Sequence, residues 1–586
     1  MRKQKQTSAH ARLLVLQKRI YRALEKEAES LLGPTPPGIK KYEKRFREDF
    51  KLRGKRLEHI RKTELIKKIR AADVSWVADF HTFQQAQRTV LRLIREVVRP
   101  KEDWYVGLEM IPSQYQSSID LFLAGKVSLT KLKELIHYEE EWGFPWQHYI
   151  PLFNWAKAHG VGILALNRPK QLLYKRDRFK TRFTPVAKID EKELHDRDLW
   201  AAGVVTDLFA EARNQASGKK RKPKVIALYG DLHVASAHLA ARTTKISRAF
   251  LGKPLHSLSI HQNHPEVYWK LASQSKELYT QVVKLKKDVY CVLSATPWAR
   301  LQSLVSWLGN EVELESNTET DWESDTDDLL MIQSYGKILS EFLGVPLPSF
   351  DQLAVRTIAE ADFLDAYKKD LRLSSQDRAL IRYHIVNNIE LYVPQLPLAY
   401  VGSTSENRAA EMAALHLLSF ARKSKRAGIF ANTVDDFYRL ALESAFGFFG
   451  SLILNHKRKC DLHSDHLQRL AQLERTEKEA FRWEREIRYL AATFLGKASP
   501  AKKQNTLLDY LSERRLAPAV VLAARFTGQV LGRSVHQLIL SEKVEIARIV
   551  QLFKQTGKKE NHAEIYAALS NLSAKAKLQS TKLETI

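Results

Sequence analysis

The chain has 586 residues, a formal net charge of +27 and a hydrophobic content of 44%, a composition that fits a globular protein and excludes a largely disordered one. Its length predicts roughly two to four domains. Cys291 and Cys460 are the two cysteines, which excludes a disulfide framework and favours a reducing compartment.

The sequence contains no uninterrupted apolar stretch of about 18 residues, so it predicts no transmembrane segment. The basic N-terminus, Met1-Arg2-Lys3-Gln4-Lys5, is not followed by the apolar region of a signal peptide. We therefore expect a cytoplasmic protein.

The first segment, residues 1–71, is predicted to form basic helices. Residues 1–70 contain 22 Lys/Arg and 8 Asp/Glu, a difference of +14. A block of this kind can make weak contacts with an anionic surface or with nucleic acid. A solvated basic helical face explains the same pattern without a partner.

Residues 72–310 predict an α/β domain with a mostly parallel sheet and flanking helices, because short apolar runs alternate with helical patterns. Four of the runs lead directly into residues that can do chemistry. These sequences are Asp79-Phe80-His81, Glu109-Met110, Asn167-Arg168-Pro169 and Gly230-Asp231-Leu232-His233. The carboxyl ends of parallel strands meet at one edge of a sheet, where ligands bind. We therefore expect these polar residues to lie close together.

The rest of the chain is predicted to be largely α-helical. Residues 311–328 carry nine acidic and no basic side chains and predict an exposed linker or loop. Residues 329–555 show helical periodicity, and residues 556–586 predict a polar, flexible tail.

His81, Glu109 and His233 form the chemical centre of the predicted edge. Two imidazoles and a carboxylate suit a divalent metal with an open coordination position. They equally suit acid–base hydrolysis, with Glu109 tuning a histidine or activating water. Asp79 and Asp231 each stand two residues before one of these histidines and are expected to orient or support it.

The same residues resemble the ChaN-like domain, the haem-binding-uptake member of the Tiki/TraB superfamily, over about residues 73–265. The matching blocks are Asp79-Phe80-His81 with Gln84 and Gln87-Arg88, Gly107-Leu108-Glu109-Met110, Ala165-Leu166-Asn167-Arg168-Pro169 and Gly230-Asp231-Leu232-His233. The resemblance implies a metal or catalytic role for His81, Glu109 and His233. Asp79, Asn167 and Asp231, at the same strand ends, are expected to act as supporting, cofactor-binding residues. Tyr229, near the same edge, is a candidate axial haem ligand.

Three functions follow from these observations. The first is binding of haem or a divalent metal ion at the carboxyl edge of the sheet. The second, implied by Tiki-type proteases and esterase-like relatives, is metal-dependent hydrolysis of a peptide or ester. The third is an interaction protein whose basic N-terminus binds nucleic acid.

Overall fold

The structure is a computed structural model. It describes residues 8–52, 57–99, 102–169, 191–214, 222–315, 325–357, 373–402, 405–422, 429–474, 482–513, 516–556, 561–576 and 578. The chain divides into two compact units. The helical unit combines Met1–Arg22 with Asn317–Thr585, and the α/β unit spans Ala23–Ser316.

The α/β unit contains an eight-stranded sheet. Its strands are β1 (Glu58–Ile60), β2 (Val74–Asp79), β3 (Trp104–Pro112), β4 (Gly162–Asn167), β5 (Lys224–Gly230), β6 (Ser257–Gln262), β7 (Val282–Lys286) and β8 (Val289–Val292).

The helices of residues 9–315 follow in sequence order. They are α1 (Ala9–Leu32, which begins in the helical unit), α2 (Pro37–Arg47), α3 (Lys62–Ala71), α4 (Gln84–Val97), α5 (Gln116–Leu123), α6 (Leu129–Leu135), α7 (Tyr138–Glu141), α8 (Ile150–His159), α9 (Glu191–Asn214), α10 (Ala241–Leu251), α11 (Pro265–Ala272) and α12 (Pro297–Glu315).

The strand order is β1-β7-β8-β6-β2-β5-β3-β4. The six strands from β8 to β4 run parallel, and β7 pairs in antiparallel orientation with both β8 and β1. This confirms the predicted mostly parallel α/β fold. The neighbouring order β2-β5-β3-β4 brings together the four strands that carry the candidate site residues.

Both faces of the central strands are buried, which explains their continuous apolar runs. Successive side chains alternate between faces, so Val77 and Leu228 pack on one side, while Trp76 and Ala227 pack on the other. The first face is covered by helices such as α4 and α8, and the second by α9.

One predicted strand is longer than expected. The apolar run before Glu109 was interpreted as ending there, but β3 continues to Pro112. Met110 and Ile111 are buried and continue the strand, and the register with β4 shifts between Leu108 and Pro112. Glu109 therefore lies inside a strand at an irregularity in the sheet.

The helical unit also contains a small sheet, in the order β10-β11-β9, formed by β9 (Ala354–Thr357), β10 (Leu391–Val393) and β11 (Leu398–Gly402). Its helices after residue 316 are Asp325–Leu343, Ser375–Val386, Glu406–Arg422, Val434–Leu454, His463–Glu474, Arg482–Leu495, Pro500–Ser512, Ala517–Leu540, Ile546–Gln555 and His562–Ser573. The predicted largely α-helical C-terminal region is thus confirmed.

Val434–Leu454 and Ala517–Leu540 pack closely in the helical unit. A Cβ atom added at Gly528 would lie 2.2 Å from the Ala441 carbonyl oxygen, so only glycine permits this approach. Val434–Leu454 is long and apolar enough to cross a membrane, but 83% of its most apolar window is buried inside the protein. That burial is typical of a core helix.

The two units and the helix bounds can be compared with the predicted segments. The first 22 residues group with the helical unit rather than with a separate segment 1–71, because Arg12 and Gln17 donate hydrogen bonds to the carbonyls of Phe342 and Ile453. Helix α12 and the helix beginning at Asp325 extend into the predicted linker 311–328, whose residues 316–324 lie outside the described part.

The predicted flexible tail 556–586 contains the helix His562–Ser573. Ile565 and Leu569 are buried, and the Asp435 carboxylate accepts the backbone N–H of His562. These contacts hold a segment whose polar composition alone indicated disorder.

Candidate functional site

The parallel sheet places the predicted residues on neighbouring strands. Asp79, at the end of β2, is in register with Gly230 at the end of β5. Glu109 lies on β3, which pairs with β5. Asn167, at the end of β4, is in register with Pro112 at the end of β3. Because β2, β5, β3 and β4 are adjacent, these residues lie on neighbouring strands of the sheet although they are far apart in sequence.

Glu109 and His233 border the same small space. Glu109 is 4% exposed, and its Oε2 accepts the backbone N–H of Gly230 at 2.5 Å. A Cβ atom added at Gly230 would lie 3.1 Å from that Oε2 and 3.4 Å from His233 Cδ2. The glycine therefore leaves the room in which the carboxylate and the imidazole approach each other.

His81 is anchored by Asp79. Its Nδ1 lies 2.9 Å from Asp79 Oδ2, to which the Tyr149 hydroxyl also donates at 2.8 Å. Gln87 Nε2 donates to Asp79 Oδ1. These three partners compensate the burial of the Asp79 carboxylate and fix the direction of the His81 ring.

The His81 ring contacts two aromatic side chains and remains partly open. Its centroid is 4.6 Å from that of Trp142 and 4.8 Å from that of Phe144, and the side chain is 22% exposed. No described residue makes a hydrogen bond to its Nε2. In the neutral tautomer that donates its Nδ1 proton to Asp79, Nε2 carries the lone pair of the ring.

Opposing effects act on the pKa of His81. Burial lowers this pKa, but the hydrogen bond and charge of Asp79, together with the charge of Glu109, outweigh burial and leave it above its usual value. The imidazole is therefore more basic than an ordinary histidine.

His233 is held by a partner that is distant in sequence. Its Nδ1 lies 2.7 Å from Asp198 Oδ1 on α9 and 2.9 Å from the Tyr42 hydroxyl on α2. The same hydroxyl donates to Asp198 Oδ2 at 2.8 Å. Tyr42 stacks on His238 with ring centroids 3.7 Å apart. Burial first, and then Asp198, raise the pKa of Tyr42 well above its usual value, so Tyr42 remains a hydroxyl donor.

The sequence analysis missed Tyr42 and Asp198. Asp198 had a signal, because it interrupts an apolar stripe of α9 formed by Leu194, Ala201 and Val205. A buried carboxylate at such a position requires a partner. Tyr42 lies in a basic helical segment and carries no comparable signal.

Asp231 does not contact His233, although its spacing matches that of Asp79 before His81. Its Oδ2 accepts from Arg300 Nη1 at 2.9 Å, and its Oδ1 lies 3.7 Å from His261 Nδ1. Burial raises the pKa of Asp231, but Arg300 and His261 outweigh burial and lower it. Asp231 thus belongs to a separate ion-pair cluster, because the chain after Gly230 turns its carboxylate toward α12 and β6.

Tyr229 is fully buried on the α9 side of the sheet, and its hydroxyl has no hydrogen-bond partner among the described residues. Burial, followed by the charges of Glu109 and Asp198, raises its pKa well above the usual value. Its ring lies 5.2 Å from that of His233. Asn167 is 8% exposed at the end of β4.

Within the described ranges, no group of three or more His, Cys, Asp or Glu side chains is arranged to hold a metal ion. The structure therefore gives no support to a three-ligand centre of His81, Glu109 and His233. It shows two histidines whose Nδ1 atoms contact carboxylates, and a buried glutamate near one of them.

A protein-family model matches residues 65–185 of the chain. Its description is "Haem-binding uptake, Tiki superfamily, ChaN". The matched residues include Asp79, His81, Glu109 and Asn167, while His233 lies beyond them. The resemblance predicted from the sequence is thereby confirmed.

The chain is also similar to a solved structure entitled "Cofacial heme binding to ChaN of Campylobacter jejuni". The two share 14% sequence identity with a TM-score of 0.25, and the similarity covers 35% of this chain and 88% of that chain. No curated protein matches.

Proposed function

We propose that the ChaN-like domain to which residues 65–185 belong binds haem, and that His81 provides the iron ligand. One observation carries the assignment of the ligand. The His81 ring is fixed through Nδ1 by Asp79, while its Nε2 makes no hydrogen bond to any described residue and the side chain is 22% exposed.

The donor chemistry fits ferric or ferrous haem. Imidazole is a common axial ligand of haem iron, and a carboxylate on the opposite ring nitrogen orients it and raises its basicity. Haem bound here supplies an iron centre whose chemistry depends on this ligand and on its surroundings. Tyr149 and Gln87 support His81 by holding the Asp79 carboxylate in place.

The surroundings of His81 fit a flat, apolar ligand. Trp142 and Phe144 both contact the ring, and Phe144 contacts Trp307 with ring centroids 4.7 Å apart. The Arg300 guanidinium lies over the Phe80 ring, 4.4 Å from the centroid of that ring. Aromatic faces of this kind bury apolar surface and exclude water.

The partly open His81 is a better ligand candidate than Tyr229. Tyr229 has no exposed surface, and a phenol must lose its proton to bind iron strongly. The raised pKa of Tyr229 opposes that loss. Divalent-metal binding, hydrolysis and nucleic-acid binding stay predictions of the sequence, because no observation at this site favours one of them.

The experiment is a spectroscopic titration of the full chain with haemin. His81→Ala should lower affinity by about tenfold or more and shift the Soret band, because the axial bond is lost. His159→Ala is the matched control, since His159 is an exposed histidine at the end of α8. Unchanged affinity and spectrum in His81→Ala would overturn the assignment.

A further inference from the structure

A cavity of the α/β unit, whose lining does not include His81, lies along α10 and beside β6 and β8. It has a volume of about 420 Å³, within the range of small-molecule sites. Its lining includes Lys245 and Arg248 from α10, Ser257 and Ser259 from β6, and Lys287 from the β7–β8 turn. We propose that this cavity binds a phosphate monoester of a small polar molecule.

The floor of the cavity is polar where the fold would ordinarily be apolar. On β6, Leu258 and Ile260 enter the hydrophobic core on one face of the sheet, so Ser257 and Ser259 project to the other face. Ser259 is 1% exposed. The Oγ atoms of both serines are buried and have no hydrogen-bond partner among the described residues.

Unpartnered hydroxyls are costly inside a protein, since each loses hydrogen bonds to water without replacement. The hydroxyl of Thr244, also in the lining, is already bonded to the Ala240 carbonyl, and that of Ser236 to Asp49. Ser257 and Ser259 are therefore the two lining serines whose hydroxyls have no hydrogen-bond partner among the described residues.

Three cationic side chains line the same cavity. Lys245 and Arg248 stand three positions apart on α10 and so share a helix face, and Lys287 approaches from the turn. Within the described residues none of the three forms a salt bridge. Asp288 also lines the cavity, but its Oδ1 lies 3.3 Å from His256 Nε2. The lining thus has an excess of positive charge.

This combination selects the ligand class. Phosphate oxygens accept hydrogen bonds from hydroxyls and from several cations at once, and arginine can bind two of them together. Hydroxyl donors at the floor and cations near them suit a terminal phosphate placed inward. The remaining volume accommodates the polar molecule that carries the phosphate.

The test is calorimetric titration of the full chain with ribose 5-phosphate, AMP and inorganic phosphate. Arg248→Gln should weaken binding of the organic phosphates by about tenfold, because a charge-assisted contact is lost. Lys253→Gln is the matched control. It removes the same charge just beyond α10, at a residue outside the lining.

Ser259→Ala separates a binding role from a structural one. It should lower affinity by about fivefold while leaving the thermal stability of the free protein unchanged or higher, because the hydroxyl has no partner to lose. Equal affinity in wild type, Arg248→Gln and Ser259→Ala, or no binding of any organic phosphate, would overturn the proposal. Inorganic phosphate binding as tightly as both esters would contradict an ester site.

Discussion

Two histidine–aspartate pairs of the α/β unit differ in how they are built. His81 pairs with Asp79, two residues earlier, and keeps a partly open ring beside two aromatic side chains. His233 pairs with Asp198, 35 residues away in sequence, and is enclosed with Tyr42. The same contact therefore serves two purposes. The open pair presents a ring nitrogen, while the closed pair ties α2 and α9 to the end of β5.

Asp198→Asn should produce the largest effect on stability. The side chain is completely buried and contacts both His233 and Tyr42, so its loss breaks a buried charged network. We expect the free energy of unfolding to fall by about 3 kcal/mol, measured by urea denaturation. Asp196→Asn, on the same helix at a side chain 35% exposed, is the control. A loss of the same size in both variants would contradict a special role for the buried Asp198 network.

Tyr42→Phe and Tyr149→Phe compare the two pairs directly, because each removes a hydroxyl that donates to the paired aspartate at 2.8 Å. Each should lower stability by about 2 kcal/mol, since the acceptor is a carboxylate. Only Tyr149→Phe should also weaken haemin binding, measured by titration. Weakening by Tyr42→Phe alone would assign the ligand to the other pair.

Gly230→Ala should have a smaller effect. The new Cβ would be 3.1 Å from Glu109 Oε2, so the glutamate has to shift, at a cost of about 1 kcal/mol. Gly203→Ala on α9 is the control, because its Cβ meets nothing within 4 Å and alanine favours helix. Chemical denaturation should give a lower free energy of unfolding for Gly230→Ala than for the wild type, and a higher one for Gly203→Ala. A higher free energy of unfolding for Gly230→Ala would contradict the close packing between Gly230 and the Glu109 carboxylate.

The smallest expected effect is a change of haemin affinity with pH. The pKa of His81 is raised, so its ring takes up a proton, which blocks Nε2, at a higher pH than an ordinary histidine does. Haemin affinity should therefore fall as pH decreases through a midpoint above about 6.5. Asp79→Asn should move that midpoint to lower pH, because the hydrogen bond and charge that raise the pKa are lost. A midpoint unmoved by Asp79→Asn would contradict His81 as the titrating ligand.

The sheet edge was predictable because each strand, and the polar residue at its end, can be recognised from a short stretch of sequence. Apolar runs indicated β2, β4 and β5, and parallel topology then brought Asp79, Glu109 and Gly230 together. The partner of His233 was not predictable from spacing. Asp231 and Asp79 stand at equal distances before a histidine, but the direction of each carboxylate depends on residues supplied by other elements. For Asp231 these are Arg300 and His261.

The sequence predicted the helical character of the helical unit, but it did not predict that residues 1–22 belong to it. Strand-like patterns at β9–β11 are short, and the periodicity of α1 does not indicate what its apolar face contacts. Leu13 and Leu16 are buried in α1, as sequence patterning indicates. Their assignment to a unit depends on contacts with residues more than 300 positions away.

That arrangement has a consequence for biosynthesis. The N-terminal half of α1 leaves the ribosome before Phe342 and Ile453, whose carbonyls it contacts, have been translated. At bacterial or eukaryotic elongation rates the delay is on the order of tens of seconds, during which Leu13 and Leu16 lack part of their final packing. The α/β unit is encoded between the two pieces of the helical unit, so it is translated completely while that unit still waits for its second piece.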